Sequence, residues 1–241
     1  MIGLGTLINS AGIVVGGVIG LFAGKLFREE QQESLNKACG VSVLFIAIAG
    51  AMEGMLKIRD GVLSSEKSLL VVLCLALGTM IGELIGIEKG FERFGNWLKK
   101  KTRSSGDTGF VNAFITASLT VSIGAMAIVG AIQDGLTGNY YTLAVKTVLD
   151  FIIVAVMTSS MGKGAIFSAI PVFVFEGGIT LLARLISPVL TETALAYLSL
   201  IGSVLIFCIG INLVGGKKLR VANMLPAVLL AILAAYLPWS F

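Results

Sequence analysis

The chain has 241 residues, 56% of them apolar and 13% charged, with a mean hydropathy of +0.96; these values exclude a water-soluble globule and call for a membrane protein. It has no histidine and only three isolated cysteines, Cys39, Cys74 and Cys208, so the usual near-neutral acid–base group is missing and neither a disulfide framework nor a metal knuckle is indicated. The net charge of +4 lies in short basic clusters between apolar runs, which is the pattern of membrane topology and not of a nucleic-acid partner.

Apolar stretches of about 20 residues, the length of a helix that crosses a hydrocarbon layer of about 30 Å, fall at 4–26, 37–56, 68–87, 109–133, 142–161, 164–186, 192–214 and 221–239. The expectation is an all-α, polytopic bundle of eight transmembrane helices forming a single domain over 1–241. The opening "MIGLGTLINSAGIVVGGVIGLFAG" lacks the basic start and small-residue cleavage site of a signal peptide and is expected to stay as the first span. Thirty glycines against four prolines point to helices in close contact through small residues, because a bilayer gives apolar side chains no solvent-driven reason to associate.

Between the third and fourth spans, Phe91, Phe94 and Leu98 recur at helical spacing ahead of Lys99, Lys100, Lys101 and Arg103. Residues 88–103 therefore read as an amphipathic helix lying on the anionic cytoplasmic leaflet. With the N-terminus outside, thirteen of the eighteen basic residues fall on the cytoplasmic side, including Lys25, the cluster from Lys89 to Arg103, Lys163, Lys217 and Lys218; both termini are then expected outside. Lys57, Arg59 and Lys67 run against that bias.

The fourth span alternates Thr116, Ser118, Thr120 and Ser122, which cannot share one helical face, so some of these hydroxyls must bond their own backbone. Glu53, Gln133 and Asp134 close similar motifs, "AIAGAMEGML" (47–56) and "AIVGAIQDGL" (127–136), at helix ends where polar groups reach water at little cost. Further likenesses, "GVSVLFIAIAG" (40–50) to "GSVLIFCIGIN" (202–212) and "GTLIN" (5–9) to "GTMIG" (78–82), suggest internal repeats, partly inverted, with two-helix units beginning at helices one, three and six.

Two carboxylates inside apolar helices carry most of the functional signal. Asp150 stands one helical turn after Lys146, giving either a structural ion pair or a charge-neutral latch that a cation, a proton or a substrate group opens. Glu176 has no basic neighbour within a turn, and is followed by Gly177 and Gly178, which would allow close backbone approach or local unwinding. "TSSMGKG" (158–164), with Ser159 and Ser160, leaves hardly any room for a loop and reads as a broken or re-entrant connection facing a cavity; it does not have the spacing of a phosphate-binding loop. Asn9 and Asn212 read first as interhelical hydrogen bonds, and Glu83 as a lesser candidate within the third span.

The stretch from "VSIGAMAIVGAIQDGLTG" through "KTVLD" and "SSMGKGAIFSAIPV", with the opening "GTLINSAGIVVGGVIGLFAGKLF", resembles the bacterial membrane-protein family called domain of unknown function 554. The resemblance runs nearly end to end. It implies a multi-pass inner-membrane protein and carries hardly any statement of function; in the family pattern glutamine is common at the position of Glu176 and glycine is usual at that of Phe151.

Together these features favour a transporter of a small solute or ion in the bacterial cytoplasmic membrane, proton- or cation-coupled, over a passive channel or a membrane scaffold. The substrate- or ion-binding candidates are Asp150, Lys146, Glu176, Gly177, Ser159, Ser160, Asn9 and Glu83. Enzyme activity is not expected, nor any cofactor or metal; the partners expected are the lipid bilayer, the solute and further copies of the chain.

Overall fold

The structure, a computed structural model, describes residues 1–59, 61–216 and 219–237. The chain runs through α1 (Leu4–Gly24), α2 (Glu29–Met55), a hairpin of β1 (Leu56–Arg59) and β2 (Val62–Ser65), α3 (Ser68–Ile85), α4 (Ile87–Lys101), α5 (Phe110–Ser122) and α6 (Ala125–Thr137). It continues through α7 (Tyr141–Met161), a 3₁₀ turn (Lys163–Ser168), α8 (Ala169–Leu181), α9 (Ala183–Ile186), α10 (Glu192–Gly215), α11 (Val221–Met224) and α12 (Pro226–Ala234).

Among the described residues six helical stretches are long and apolar enough to cross a membrane, and α5 with α6 makes a seventh as a pair bent by 64°. The fourth span is therefore broken where a straight helix over 109–133 was expected. Ile123 is extended and Gly124 has φ 156, ψ 149, a region open almost only to glycine, so the hydrogen-bond ladder stops between the two halves. The pair still crosses the bundle: Gly109, just before α5, lies against the end of α7, while Asp134 near the end of α6 lies against the start of α1. At the eighth position stands a shorter apolar helix, Val221–Ala234, whose rise of about 1.5 Å per residue gives roughly 21 Å against the 30 Å of a hydrocarbon layer. Residues 238 and 239 of the expected eighth span, and Lys217 and Lys218 of the basic bias, lie outside the described residues.

Glycine sets the closest contacts. Gly12, Gly16, Gly20 and Gly24, one per helical turn, meet Thr147, Phe151, Ala155 and Ser159, and a Cβ at Gly16 or Gly20 would collide with the backbone carbonyl opposite. The constant offset means that α1 and α7 run parallel with their backbones touching. Gly40, Gly50 and Gly54 of α2 meet Leu213, Ser203 and Leu200 of α10 in the opposite order, hence antiparallel; Gly78 and Gly82 of α3 likewise meet Ala227 and Asn223. These contacts bear out small-residue packing as the organising force.

After α7, Gly162 (φ 98) turns the chain into the 3₁₀ stretch, and Lys163–Leu181 passes as one span. The break expected at 158–164 is thus only a tight turn; the interrupted helix is α5–α6. The hairpin, which the helical pattern did not announce, joins α2 to α3 with Leu56 opposite Ser65 and Arg59 opposite Val62. Part of the contrary charge on that side is neutralised where Lys57 pairs with Glu66 at 3.1 Å, and Lys67 donates to the Gly54 carbonyl at 3.0 Å.

α4 is a separate helix, turned off α3 at Gly86 (φ 74). Its apolar side packs on α5: Phe91 and Phe94 lie 6.4 and 5.7 Å from the Phe114 ring, and Leu98 is buried. Lys99, Lys100 and Lys101 occupy the last turn, where cations complement the helix dipole.

Candidate functional site

The close approach of α1 to α7 brings Asn9, on the glycine-bearing face of α1, onto the face of α7 that carries Lys146 and Asp150. α8 returns antiparallel beside them and adds Glu176. Asn9 Nδ2 donates to Asp150 Oδ2 at 3.0 Å and to Glu176 Oε1 at 2.9 Å. Lys146 Nζ contacts Asp150 Oδ2, stands 3.7 Å from Glu176 Oε1, and donates to the Val121 carbonyl at 2.7 Å. None of the four residues is more than 6% exposed.

The Val121 carbonyl is open to Lys146 because the helix is broken. In a continuous helix it would accept from the amide of residue 125; with the ladder stopped at Ile123 and Gly124 it belongs to the unsatisfied last turn of α5, where partial negative charge accumulates. The ammonium group therefore stands among three partners on three helices, α5, α7 and α8.

Energetics argue against a purely stabilising role. At 3.7 Å and an effective dielectric of about 20, the attraction between Lys146 and Glu176 is roughly 4.5 kcal/mol, but stripping water from each ion costs several kcal/mol. With both acids ionised the cluster carries one positive and two negative charges. Two of its oxygens, Asn9 Oδ1 and Glu176 Oε2, are buried without a hydrogen-bond partner, a costly arrangement in an enclosed site. What the cluster can do is bind a positive charge or a proton, and release one of its own contacts in exchange.

Of the other candidates, Gly177 sits beside the cluster with room to spare, a Cβ there standing 3.8 Å from Thr6 Cγ2. It is therefore not a point of close backbone contact. Ser159 and Ser160 both donate to the Val156 carbonyl, at 2.8 and 3.0 Å, and Ser159 lies about 14 Å along α7 from Asp150 at 1.5 Å per residue. Glu83 pairs with Arg220 at 3.1 Å on an exposed face near the end of α3, apart from the cluster. Asn212 is bonded to the backbone of Leu219 through both ends of its amide. Ser118 and Thr120 bond the carbonyls one turn earlier on α5.

Asp134 is placed differently from the expectation. It does not reach water from a helix end: it is 0% exposed, and accepts from the Gly3 and Gly5 amides at 3.2 and 2.9 Å. α1 begins at a glycine with no capping side chain, so its first amides take a carboxylate from α6, which also suits the helix dipole. The signal in the sequence was an acid in "QDG" facing a glycine-led helix start. Next to it, Thr6 and Thr180 hydroxyls meet at 3.2 Å and Thr180 donates to the Ala131 carbonyl at 3.2 Å. Polar contacts thus tie α1 and α8 to α6 as well as to the charged cluster.

Two cavities flank these elements. One of about 460 Å³ adjoins the break at Ser122–Gly124 and reaches Pro171 and Phe175 of α8; its walls are almost wholly apolar. The other, about 230 Å³ at the end where α1 and α7 finish, is lined by Asn36, Lys37, Asn112, Thr116 and Asn212. Among the described residues no three His, Cys, Asp or Glu side chains gather as a metal site would require.

Residues 4–236 match the family described as "Protein of unknown function (DUF554)". The chain belongs to this family. DUF554 relatives include the "Uncharacterized membrane protein YdfK" of Bacillus subtilis (strain 168), 28% identical over 237 residues that cover 98% of this chain and 97% of the relative. Another is the "Uncharacterized protein YqgA" of Escherichia coli (strain K12), 27% identical over 242 residues and 98% of both chains. No solved structure matches the chain. The DUF554 match spans every residue of the cluster, from Asn9 to Glu176, and the apolar helices agree with the membrane description that the Bacillus relative carries.

Proposed function

We propose that this membrane protein moves a small solute or ion across the bacterial cytoplasmic membrane, coupled to a proton or cation at the cluster of Asn9, Lys146, Asp150 and Glu176. The observation that carries this reading is the junction of that cluster with the broken span: the Lys146 ammonium bridges Asp150 to the freed Val121 carbonyl. Charged groups inside a bundle and interrupted helices are each costly, and transporters bring the two together because half-helix ends and unpaired carbonyls bind ions that must later leave. The polar cavity beside Asn112 and Thr116 lies at the end that carries the basic loops, which the charge bias assigns to the cytoplasm with both termini outside. On this orientation α4 lies along the cytoplasmic leaflet, with Trp97, 54% exposed, and the terminal lysines toward the lipid headgroups.

The test is reconstitution into liposomes with an imposed proton or sodium gradient and a panel of ions, polyamines, amino acids and organic acids. Gradient-driven uptake of at least one solute is expected, and its loss in Asp150→Asn. Conduction that ignores every gradient would make the protein a channel. No movement of any solute, with Asp150→Asn and Glu176→Ala both tolerated in cells, would make it a scaffold.

A further inference from the structure

We propose that the cluster holds a single proton, carried on Glu176 Oε2 and donated to Asn9 Oδ1, so that acid and amide face each other through a pair of hydrogen bonds. The inference starts from hydrogen-bond capacity. The Asn9 amide has two hydrogens, and both are used, on Asp150 Oδ2 at 3.0 Å and on Glu176 Oε1 at 2.9 Å. What remains on each partner is one oxygen, Asn9 Oδ1 and Glu176 Oε2, buried and without a partner. An amide oxygen can only accept, and so can an ionised carboxylate oxygen. Because amide and carboxyl are already joined through Nδ2 and Oε1 at 2.9 Å, one hydrogen added between their remaining oxygens would satisfy both, and the carboxyl group is the one that can carry it.

The charges that face Glu176 agree. α7 contributes Lys146 and Asp150; α1 contributes the neutral Asn9; α5 contributes the Val121 carbonyl, through Lys146; α6, also packed on α8, carries Asp134, whose carboxylate is taken up by the Gly3 and Gly5 amides. The ammonium group contacts Asp150 and bonds Val121, but stays 3.7 Å from Glu176, beyond hydrogen-bond range. Asp150 is thus the ionised partner of Lys146, and Glu176 is the acid to which the ammonium makes no hydrogen bond. With the proton on Glu176 the enclosed cluster is electrically neutral. Loss of that proton leaves one uncompensated negative charge, whose nearest remedy is the ammonium, so that Lys146 is drawn from the Val121 carbonyl toward Glu176. Proton release is in this way linked to the contact at the α5–α6 break.

The inference rests on the cluster being the coupling site proposed above, but it is tested by observing the proton itself, so that absence of transport and absence of the proton are separate outcomes. Infrared spectra of the purified protein in lipid bilayers at neutral pH should show the carbonyl band of a neutral carboxylic acid, shifting in D₂O. Carbon-13 at the glutamate side-chain carboxyl should move the band. Glu176→Gln should lose it and still melt with the wild type, since the glutamine amide places a donor where the acid placed its proton; Glu83→Gln should keep it. A wild-type spectrum without the band overturns the proposal. So does a band that ignores glutamate labelling, which would put the proton on Asp150, or one that survives Glu176→Gln. Failure of Glu176→Gln to fold also counts against it, and the labelled wild-type spectrum then decides without the variant.

Discussion

Asp134 and Asp150 are both almost completely enclosed, at 0% and 4% exposure, and each faces α1, yet they are satisfied in opposite ways. Asp134 receives two backbone amides that cannot leave, at a helix start whose position is fixed by the chain. Asp150 receives a lysine with four rotatable bonds and an asparagine shared with a second acid. Burial of a carboxylate therefore does not by itself mark a working site. Movable partners do, together with neighbours left incompletely bonded.

The comparison is broken most forcefully at Asp150. Asp150→Asn strands the Lys146 ammonium, and removal of one member of a buried pair typically costs about 3–5 kcal/mol; detergent-solubilised protein should melt well below the wild type. Asp150→Asn with Lys146→Met should regain most of that loss, because neutral replacement of a whole buried pair is often tolerated, while uptake in liposomes stays absent. Recovery of uptake in the double variant would reduce the pair to a structural one.

At Asp134 the expected loss is smaller. Asp134→Ala leaves the buried Gly5 amide without an acceptor at roughly 1–3 kcal/mol, while the half-buried Gly3 amide can turn to water, and Asp134→Asn, which keeps one acceptor oxygen, should lose less. Expression level and melting temperature should fall in step with any loss of uptake. A stable Asp134→Ala protein inactive in transport would erase the contrast with Asp150.

The smallest effect belongs to Ser159 and Ser160, which bond only the carbonyl of their own helix. Alanine at either should change stability by no more than about 0.5 kcal/mol and leave uptake as in the wild type. Lost uptake in a normally folded Ser159→Ala protein would extend the site to the end of α7.

Several of these elements were legible in the sequence, because composition and period report them directly. The apolar runs mark the spans, and Lys146 to Asp150 is one helical turn on one face. The abundance of glycine foretold backbone contact between helices. That same abundance hid the break: with thirty glycines in the chain, Gly124 in "SIGAMA" looks like any other contact residue, and hydropathy over 109–133 measures length in the membrane but not continuity of the ladder. The hairpin had a local signal, Asp60-Gly61 between Arg59 and Val62, masked by the long helices on either side. Asn9 could not be joined to Asp150 and Glu176 by any local rule, since the contacts span 141 and 167 positions. Asp134 was misplaced for the same reason: its partners are backbone amides at the far end of the chain.

The glycine ladder between α1 and α7 has a mechanical consequence. Four successive turns of touching backbone, from Gly12 to Gly24, leave no slack for these helices to slide or roll against each other, so they behave as one stiff strut. Asn9, Lys146 and Asp150 are all mounted on it, whereas Glu176 and the Val121 carbonyl belong to members outside it. The backbone positions of Asp150, Lys146 and Asn9 are thus held at fixed spacing, and only their side chains are free to change partners. The seam along which the cluster can part runs between the strut and its two neighbours, α8 and the bent α5–α6 span.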